Sequence, residues 1–391
     1  MKAIKNVLKW TLYAFLLFLL YVIICLIHGT LTDFQPAEKL PLEIAGNNDN
    51  RVITNPNLSF LNWNIGYAGL GAKSNFFYDD GNPFFFSNGK MVRSPEAFVK
   101  ENIAGIANFI KENKTDFVLL QEVDKNSKRS YYINQHETYW QQLPDYTASF
   151  AVNYKVDRVV IPVCEPWDVM GKMESGLSSY SKYKAAHSTR YQFPGSYGWP
   201  DYIFHLDRCL SVQRYPTAHP EGKELIVVNT HNSAYDGGTL KAQEMEYFKT
   251  LILEEYEKGN YVIVGGDFNQ TPPEVAADAA GKAINVPIPP ETYHPANIDA
   301  DFMPEGWQWA FDISVPTNRN MVDALDYGKT TVTLVDFYLV SPNVTVKKVE
   351  GKNLKFANSD HNPVLLDVEL QGFPVPALDS MMTDSIPAME Q

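Results

Sequence analysis

Short apolar runs in this chain end in carboxylate, amide and imidazole side chains, and this arrangement constrains the fold more than any other feature. Residues 261–264 (Tyr-Val-Ile-Val) are predicted to form a buried strand, and they lead directly into Gly-Gly-Asp267-Phe-Asn269. Near the C-terminus, Ser-Asp360-His361 stands just before a second apolar run. Because α/β folds assemble their active sites at strand ends, these two clusters are candidates for a shared site.

The residue types also indicate a chemistry. Asp, Asn and His side chains at strand ends can bind a hard divalent cation and activate a water molecule. Four more polar residues lie at the ends of predicted strands, and they are Asn64, Glu122, His231 and Asp336. Each has an ordinary structural explanation when taken alone, but the whole set favours metal-assisted hydrolysis at phosphorus.

The composition is ordinary for a globular protein with a sizeable core. Of the 391 residues, 45% are hydrophobic and 20% are charged. The formal net charge of −13 repels nucleic acid and anionic membrane surfaces, although an acidic metal-binding cleft weakens this argument locally. The composition therefore lowers the expectation of a nuclease without removing it.

The N-terminal segment is predicted to be a signal-anchor helix. Residues 10–27 are almost entirely apolar and, at about 1.5 Å per residue, they cover the roughly 30 Å hydrocarbon layer of a membrane. Lys2, Lys5 and Lys9 precede them and are expected to stay cytoplasmic. A cleaved signal peptide is the alternative, but no clean small-residue cleavage site follows. We therefore expect a single-pass membrane protein with an extracytoplasmic catalytic domain.

The remaining chain is predicted to form one catalytic domain. Strands dominate it, helices fall between some of them, and Ser94 and Pro95 are predicted to begin one helix as its N-cap and first residue. This pattern predicts an α/β fold of two packed sheets with helices outside. The assigned segments are the transmembrane helix (1–32), a linker (33–57), the catalytic domain (58–370) and a flexible tail (371–391).

Six segments carry the polar residues in a recognisable order. They are Leu-Asn-Trp-Asn64-Ile, Leu-Leu-Gln-Glu122-Val, Asn-Thr-His231, Gly-Gly-Asp267-Phe-Asn269, Val-Asp336-Phe-Tyr-Leu-Val-Ser and Ser-Asp360-His361-Asn-Pro-Val. Together they resemble the endonuclease/exonuclease/phosphatase superfamily, over about residues 58–370. The resemblance implies a DNase I-like, four-layer α/β sandwich, in which two packed, mainly antiparallel sheets are flanked by helices.

The resemblance also implies a metal cofactor and a reaction class. Glu122 would be the main ligand of Mg²⁺, supported by Asn64 and Asp360, and Mn²⁺ is the alternative ion. The enzyme would be a metal-dependent phosphoric ester hydrolase in which a water molecule attacks phosphorus.

The remaining site residues receive their roles from the same resemblance. Asp267 would orient or deprotonate the attacking water, and Asn269 would hold Asp267 and a phosphate oxygen. His361, oriented by Asp336, would sit on the phosphoryl oxygens. His231 would donate a hydrogen bond to phosphate or protonate the leaving group.

The fold does not decide which phosphoester is the substrate. A membrane helix on an acidic, aromatic-rich chain favours a phospholipid or sphingomyelin-type phosphodiester as the substrate. We expect the enzyme to be a monomer. An endonuclease or exonuclease acting on DNA or RNA, another phosphomonoesterase or phosphodiesterase, and a catalytically inactive binding scaffold are the alternatives. The complete set of catalytic residues argues against the scaffold.

Two further features are interpreted in two ways each. Arg319, in Thr-Asn-Arg319-Asn, is predicted to bind the substrate phosphate, and a plain surface arginine is the alternative. Aromatic runs at residues 76–78, 84–86 and 307–309 are candidates for contact with a bilayer or a choline-like cation, and loop packing is the alternative.

Overall fold

Two β-sheets form the centre of the fold. The structure is a computed structural model, and it describes residues 2–79, 84–234, 239–273, 275 and 296–373. The strands of these residues are β1 (Lys39–Pro41), β2 (Asn57–Asn64), β3 (Phe117–Asp124), β4 (Thr147–Val159), β5 (Gly171–Ser181), β6 (His187–Gln192), β7 (Cys209–Pro216), β8 (Glu224–His231), β9 (Tyr261–Asp267), β10 (Gln308–Ala310), β11 (Asn318–Arg319), β12 (Val332–Thr333), β13 (Asp336–Val340), β14 (Val344–Gly351) and β15 (Val364–Leu370).

The sheets are mixed but mainly antiparallel, as predicted. The seven-stranded sheet has the order β1-β6-β7-β8-β9-β13-β10, and the six-stranded sheet has the order β14-β15-β2-β3-β5-β4. Two pairs are parallel, β2 with β3 and β8 with β9, and the other pairs in these sheets are antiparallel. Strands β11 and β12 pair separately.

Helices cover the outer faces of both sheets. The α-helices of the described residues are α1 (Lys2–Thr32), α2 (Glu96–Glu112), α3 (Gln135–Trp140) and α4 (Thr239–Glu257). The apolar face of α2 packs on the six-stranded sheet, and α4 packs on the seven-stranded sheet. A third apolar cluster, which includes Phe60, Val227 and Ile263, fills the space between the sheets. The predicted four-layer sandwich is confirmed.

Residues 33–57 are not a free linker, which differs from our prediction. Strand β1 pairs with β6 at the edge of the seven-stranded sheet. Ala45 forms an isolated bridge with Ala148, and Ile53 is fully buried in the core between the sheets. The segment shows no periodicity because its apolar residues pack one by one, so its attachment was not visible in the sequence pattern.

The start of one predicted helix also differs. Helix α2 begins at Glu96, and the Ser94 hydroxyl donates to the carbonyl of Gly69 instead of capping the helix. The chain around Asp336 forms two short strands, β12 and β13, and the Thr317 hydroxyl accepts hydrogen bonds from the amides of Val335 and Asp336 where β13 begins.

Helix α1 is long and apolar enough to cross a membrane, and it is the one such helix among the described residues. A signal sequence near the N-terminus passes the same test of length and composition. The structure therefore agrees with a membrane-directed segment, which is either a single-pass span or a signal sequence.

Candidate active site

Three neighbouring strands place polar side chains side by side. In the register of the seven-stranded sheet, His231 at the end of β8 lies opposite Asp267 at the end of β9. Asp336 at the start of β13 lies opposite Asp267 on the other side. A side chain at Gly266 would collide with the carbonyl of Thr230, so glycine allows the strands to approach closely here.

Glu122 reaches the site from the other sheet through a β-bulge. The register between β3 and β5 shifts between Leu120 and Val123, and Glu122 has a positive φ of 54°. A bulge re-aims the side chain of the extra residue, and left-handed φ values in non-glycine residues concentrate at functional sites. The local backbone therefore turns the carboxylate toward the cavity.

Asn64, at the end of β2, connects Glu122 to Asp267. Its Nδ2 donates to Oε1 of Glu122 at 3.3 Å and to Oδ2 of Asp267 at 2.9 Å. Its Oδ1 accepts a hydrogen bond of 3.0 Å from the backbone amide of Gly66. The amide of Asn64 thus joins the two sheets at the site.

Asp360 lies in the loop that precedes β15. A Cβ atom at Gly66, which has a φ of 47°, would collide with Oδ1 of Asp360. The hydroxyl of Ser359 donates to the carbonyl of Asn64 at 2.9 Å and fixes this loop on β2. The pKa of Asp360 is raised to about 7, mainly by burial. The negative charge of Glu122 also raises this pKa, and the positive charge of His361 lowers it.

His361 is held by a buried carboxylate. Its Nδ1 lies 2.7 Å from Oδ2 of Asp336, and its Nε2 lies 3.8 Å from Oδ2 of Asp267 and 3.9 Å from Oδ2 of Asp360. Burial disfavours the imidazolium form, but the charges of Asp336 and Asp360 outweigh burial and raise the pKa of His361 to about 10. His361 is therefore positively charged at neutral pH.

His231 has the opposite electrostatic state. Burial lowers its pKa well below the usual range, and the positive charges of Arg208 and His361 lower it further. Its Nε2 lies 3.6 Å from Oδ2 of Asp267 and 3.9 Å from Oε1 of Glu122. The two histidines thus face the same carboxylate oxygen, one of them neutral and the other charged.

Asn269 contacts Asp267 through the backbone. Its amide N–H donates to Oδ1 of Asp267 at 2.9 Å, and its side-chain Nδ2 donates to the carbonyl of Asn232 at 2.8 Å. Its φ of 49° places this residue in the left-handed region. Asn269 therefore fixes the carboxylate of Asp267 and the loop after β8.

Asn318 is a site residue that the sequence analysis missed. Its Nδ2 is assigned 2.9 Å from Nε2 of His361. A protonated imidazole can only donate, so the charged state of His361 requires Asn318 to present its side-chain oxygen there; the two amide orientations have the same shape. The Thr-Asn-Arg-Asn cluster was the sequence signal for Asn318, but only its arginine was interpreted.

Arg319 is buried beside the cavity, so the alternative of a plain surface arginine is wrong. The residue is 1% exposed, and its Nη1 and Nη2 donate to backbone carbonyls of residues 70, 71, 74, 320 and 323. These contacts tie two loops together beside the cavity. Its role in substrate binding stays a prediction.

One cavity of about 280 Å³ contains the site and continues into an apolar half. Its polar end is lined by Glu122, His231, Asp267, Asp360 and His361. Its apolar half is lined by Leu70, Phe76, Tyr154, Val159, Ile161, Met170, Phe204, Leu206 and Met321. The polar end suits a charged group, and the other half suits hydrocarbon or an aromatic ring.

Two neighbouring sets of potential ligands lie at the polar end of the cavity. Asp267, Asp336 and His361 each offer a ligand atom, and these atoms lie within 4.8 Å of one another. The Nδ1 of His361 is already hydrogen-bonded to Asp336, which leaves this set less free to take a cation. Glu122 and Asp360 beside it offer carboxylate oxygens, which hard divalent cations prefer.

The chain belongs to the Endonuclease/Exonuclease/phosphatase family, whose model matches residues 61–361. Members of this family hydrolyse phosphoester bonds, so the chain is assigned to the phosphoester hydrolases. No curated protein sequence matches the chain.

Three solved structures are similar to this chain, and the first of them agrees on the fold. An endonuclease/exonuclease/phosphatase from Beutenbergia cavernae superposes with a TM-score of 0.51 at 16% identity, covering 82% of this chain and 73% of that chain. The human Nocturnin catalytic domain gives a TM-score of 0.48 at 14% identity, covering 85% and 99%. A protein of the same description from Bacteroides vulgatus gives 0.45 at 18% identity, covering 81% and 99%. At 16% identity the likeness to the Beutenbergia cavernae protein concerns the fold alone.

Proposed function

We propose that this chain is a membrane-anchored, Mg²⁺-dependent phosphodiesterase that hydrolyses a phospholipid-type substrate, with a sphingomyelin-like phosphodiester as the first candidate. The observation that carries the proposal is the convergence of Glu122, Asp267 and His361 at the polar end of one cavity. Metal-assisted attack of water on phosphorus needs a cation site, a carboxylate for the water and a positive group at the phosphoryl oxygens.

Asn64 supports the proposed Mg²⁺ site by donating its Nδ2 to Glu122, and the proposed ligands are Glu122 and Asp360. Their oxygen donors match the preference of Mg²⁺, and Mn²⁺ is accepted by the same ligands. When bound, the cation would polarise a phosphoryl oxygen and offset the charge that develops there. The glycine at position 66 leaves room for the Asp360 carboxylate, which supports a built site.

The two histidines and Asp267 have separate roles in the proposed reaction. His361, kept positive by Asp336, stabilises negative charge on the phosphoryl oxygens. His231 is neutral, so it serves as a hydrogen-bond donor to the phosphate group more readily than as an acid. Asp267 lies between them and orients or deprotonates the attacking water, and Asn269 holds its second oxygen.

The apolar half of the cavity favours a lipid over a polyanion. Hydrophobic side chains such as Val159, Ile161 and Met170 line it, whereas a nucleic acid would meet a chain with a net charge of −13. Helix α1 would keep the enzyme on the membrane that carries the substrate, with the lysines at its start in the cytoplasm and the catalytic domain outside.

The test compares two substrates with the full chain in detergent. Wild type with Mg²⁺ is expected to release the headgroup from sphingomyelin in mixed micelles and to leave plasmid DNA intact. His361→Ala is expected to abolish the release, and the exposed His187→Ala serves as the matched control. DNA nicking that His361→Ala removes would identify a nuclease, and headgroup release that survives His361→Ala would contradict the proposed site.

A further inference from the structure

Helix α1 packs against the wall of the catalytic cavity near its C-terminal end. Gly29 is buried, and a Cβ atom there would collide with Ile203, which is 1% exposed in a short 3-10 helix at Asp201–Phe204. Just before that turn, Nε1 of Trp199 donates to the hydroxyl of Thr30 at 3.2 Å. The end of the membrane helix and the catalytic domain are therefore in direct contact.

The opposite side of the same segment lines the cavity. Phe204 and Leu206 contribute to its apolar half, and the Tyr154 hydroxyl donates to the carbonyl of Phe204 at 2.9 Å. Residues 199–206 thus lie between α1 and the apolar part of the active-site cavity, and β4, which also contacts α1, lines the same part.

The length of α1 determines how far this wall lies from the membrane. The apolar run ends at Ile27, and Thr30 follows three residues later, or about 4.5 Å along a helix. Thr30 and its partner Trp199 therefore lie at the level of the lipid headgroups when residues 10–27 cross the hydrocarbon layer. Tryptophan is enriched at this level because its ring is amphipathic.

A second part of the wall exposes aromatic side chains next to its apolar interior. The amides of Val163 and Cys164 donate to the carbonyls of Phe84 and Phe85 at 2.9 and 3.0 Å, which joins two loops. Inward, Val159, Ile161 and Met170 line the cavity and pack with Phe204. Outward, large side chains are exposed, namely Phe84 (44%), Phe85 (49%), Phe86 (52%) and Trp167 (78%), together with Trp199 (61%).

The other aromatic runs pack into the protein. Phe77 is fully buried in the cluster that includes Val159 and Met170. Trp307 and Trp309 are partly buried against the cluster beneath α4. Of the three aromatic runs in the sequence, only the one at residues 84–86 is exposed along its described length, and it is bonded to residues 163–164, which follow Val159 and Ile161 of the cavity wall.

We infer that Phe84, Phe85, Phe86, Trp167 and Trp199 form an interfacial rim that lies on the same bilayer that α1 crosses. The rim inserts its aromatic side chains among the headgroups, and the apolar half of the cavity opens toward that leaflet. The position of the rim does not depend on the reaction. We also infer that the apolar half holds the hydrocarbon part of an amphiphilic phosphoester taken from the leaflet. This part of the inference rests on the proposed function.

Quenching by brominated lipid tests the position of the rim without any substrate. The full chain is inserted into phosphatidylcholine vesicles with and without brominated acyl chains, and tryptophan fluorescence is compared. Replacing Trp167 and Trp199 together with Phe is expected to remove a quenched component. The control replaces Trp307 and Trp309 with Phe and is expected to keep that component. An unchanged quenched component in the Trp167→Phe, Trp199→Phe variant would overturn the inference.

Activity in vesicles then tests the role of the rim. Phe85→Ser and Trp167→Ser are expected to reduce hydrolysis of a vesicle phospholipid about tenfold, because interfacial binding scales with buried apolar area. Hydrolysis of soluble bis(4-nitrophenyl) phosphate should change less than about twofold, since neither residue touches the polar end of the site. Ile313→Ser is the control, because Ile313 is 44% exposed and its neighbour Asp312 accepts a hydrogen bond from Gly351 of β14, at the sheet edge opposite β4.

The outcomes separate the inference from the proposed function. An equal loss on both substrates, or no loss on either, would overturn the role of the rim in catalysis. If wild type hydrolyses neither substrate, the proposed function fails, and the quenching experiment still decides whether the rim lies on the bilayer.

Discussion

Nδ1 of His361 lies 2.7 Å from Oδ2 of Asp336, and both side chains are almost completely buried. This bond fixes the imidazole so that Nε2 faces Asp267 and the cavity. The loop before β15 and the start of β13 are held in register by residues 317–319, which bond to both. The orientation and the charge of His361 therefore depend on Asp336.

Asp336→Asn is expected to lower activity and to shift its pH dependence. Asparagine removes the negative charge that helps to raise the pKa of His361 to about 10, so this pKa falls. Because catalysis needs protonated His361, activity is lost as pH rises through the lowered pKa, and the alkaline limb of the pH–rate profile moves to lower pH. At neutral pH, kcat is expected to fall ~100-fold or more.

The control for this experiment is Asp326→Asn, because the Asp326 side chain is 56% exposed and pairs with Lys329. Its profile should match that of wild type. An alkaline limb that Asp336→Asn leaves in place would show that Asp336 does not set the charge of His361.

Glu122→Gln is expected to weaken the binding of Mg²⁺. The substitution keeps the shape of the side chain and removes the charge, so the Mg²⁺ concentration for half-maximal activity should rise and maximal activity should fall ~100-fold or more. Titration of activity with Mg²⁺ and calorimetric titration without substrate measure the two effects. Glu112→Gln, on the exposed side of α2, should behave as wild type. Equal Mg²⁺ affinity in Glu122→Gln and wild type would remove Glu122 from the metal site.

Gly66→Ala tests the space beside Asp360. Its new methyl group would collide with Oδ1 of Asp360, so Mg²⁺ binding should weaken while the fold persists. Gly89→Ala is a matched control, because Gly89 also has a positive φ, of 76°, but has nothing within 4 Å of a new Cβ. Both variants should lose about 1 kcal/mol of stability from backbone strain, and only Gly66→Ala should bind Mg²⁺ more weakly. Identical Mg²⁺ affinities in the two variants would contradict this account.

Gln121 and Asn229 connect the two sheets beneath the site. Nε2 of Gln121 donates to Oδ1 of Asn62 at 2.8 Å and to Oδ1 of Asn229 at 2.7 Å, and all three residues are fully buried. Asn229→Ala leaves buried polar groups without partners and should reduce the free energy of unfolding by about 1–3 kcal/mol. Denaturant titration of the full chain in detergent measures this, with the exposed Asn55→Ala as the control. A loss equal to that of the control would show that the network adds no stability.

The sequence motifs were sufficient to predict the sandwich and the strand ends that meet at the site. Apolar runs followed by Asn64, His231 and Asp267 mark strands whose ends are predictable, because burial selects alternating or continuous apolar residues. The family order of the motifs then indicated which of these ends converge. Both predictions rest on short sequence patterns that do not depend on contacts between distant segments.

The features that were missed depend on contacts between distant segments. The bulge that turns Glu122 has no signature in its own strand, because the shift in register is visible only against β5. Asn318 lies in the two-residue strand β11, which is too short to show a sequence pattern, and its place beside His361 follows from an isolated bridge between the two residues. The apolar half of the cavity is assembled from several separate segments, among them β4 and the turn at residues 201–204, which share no sequence pattern.

The central claim is that this site directs a water molecule to phosphorus with the help of a divalent cation. The most direct measurement is sphingomyelin hydrolysis by the full chain with Mg²⁺ in ¹⁸O-labelled water, followed by mass spectrometry of the released headgroup. We predict phosphocholine that carries one ¹⁸O atom, with release abolished by a chelator, restored by Mg²⁺ and absent from Glu122→Gln. Release that continues in the chelator, or headgroup without ¹⁸O on its phosphate, would contradict the account.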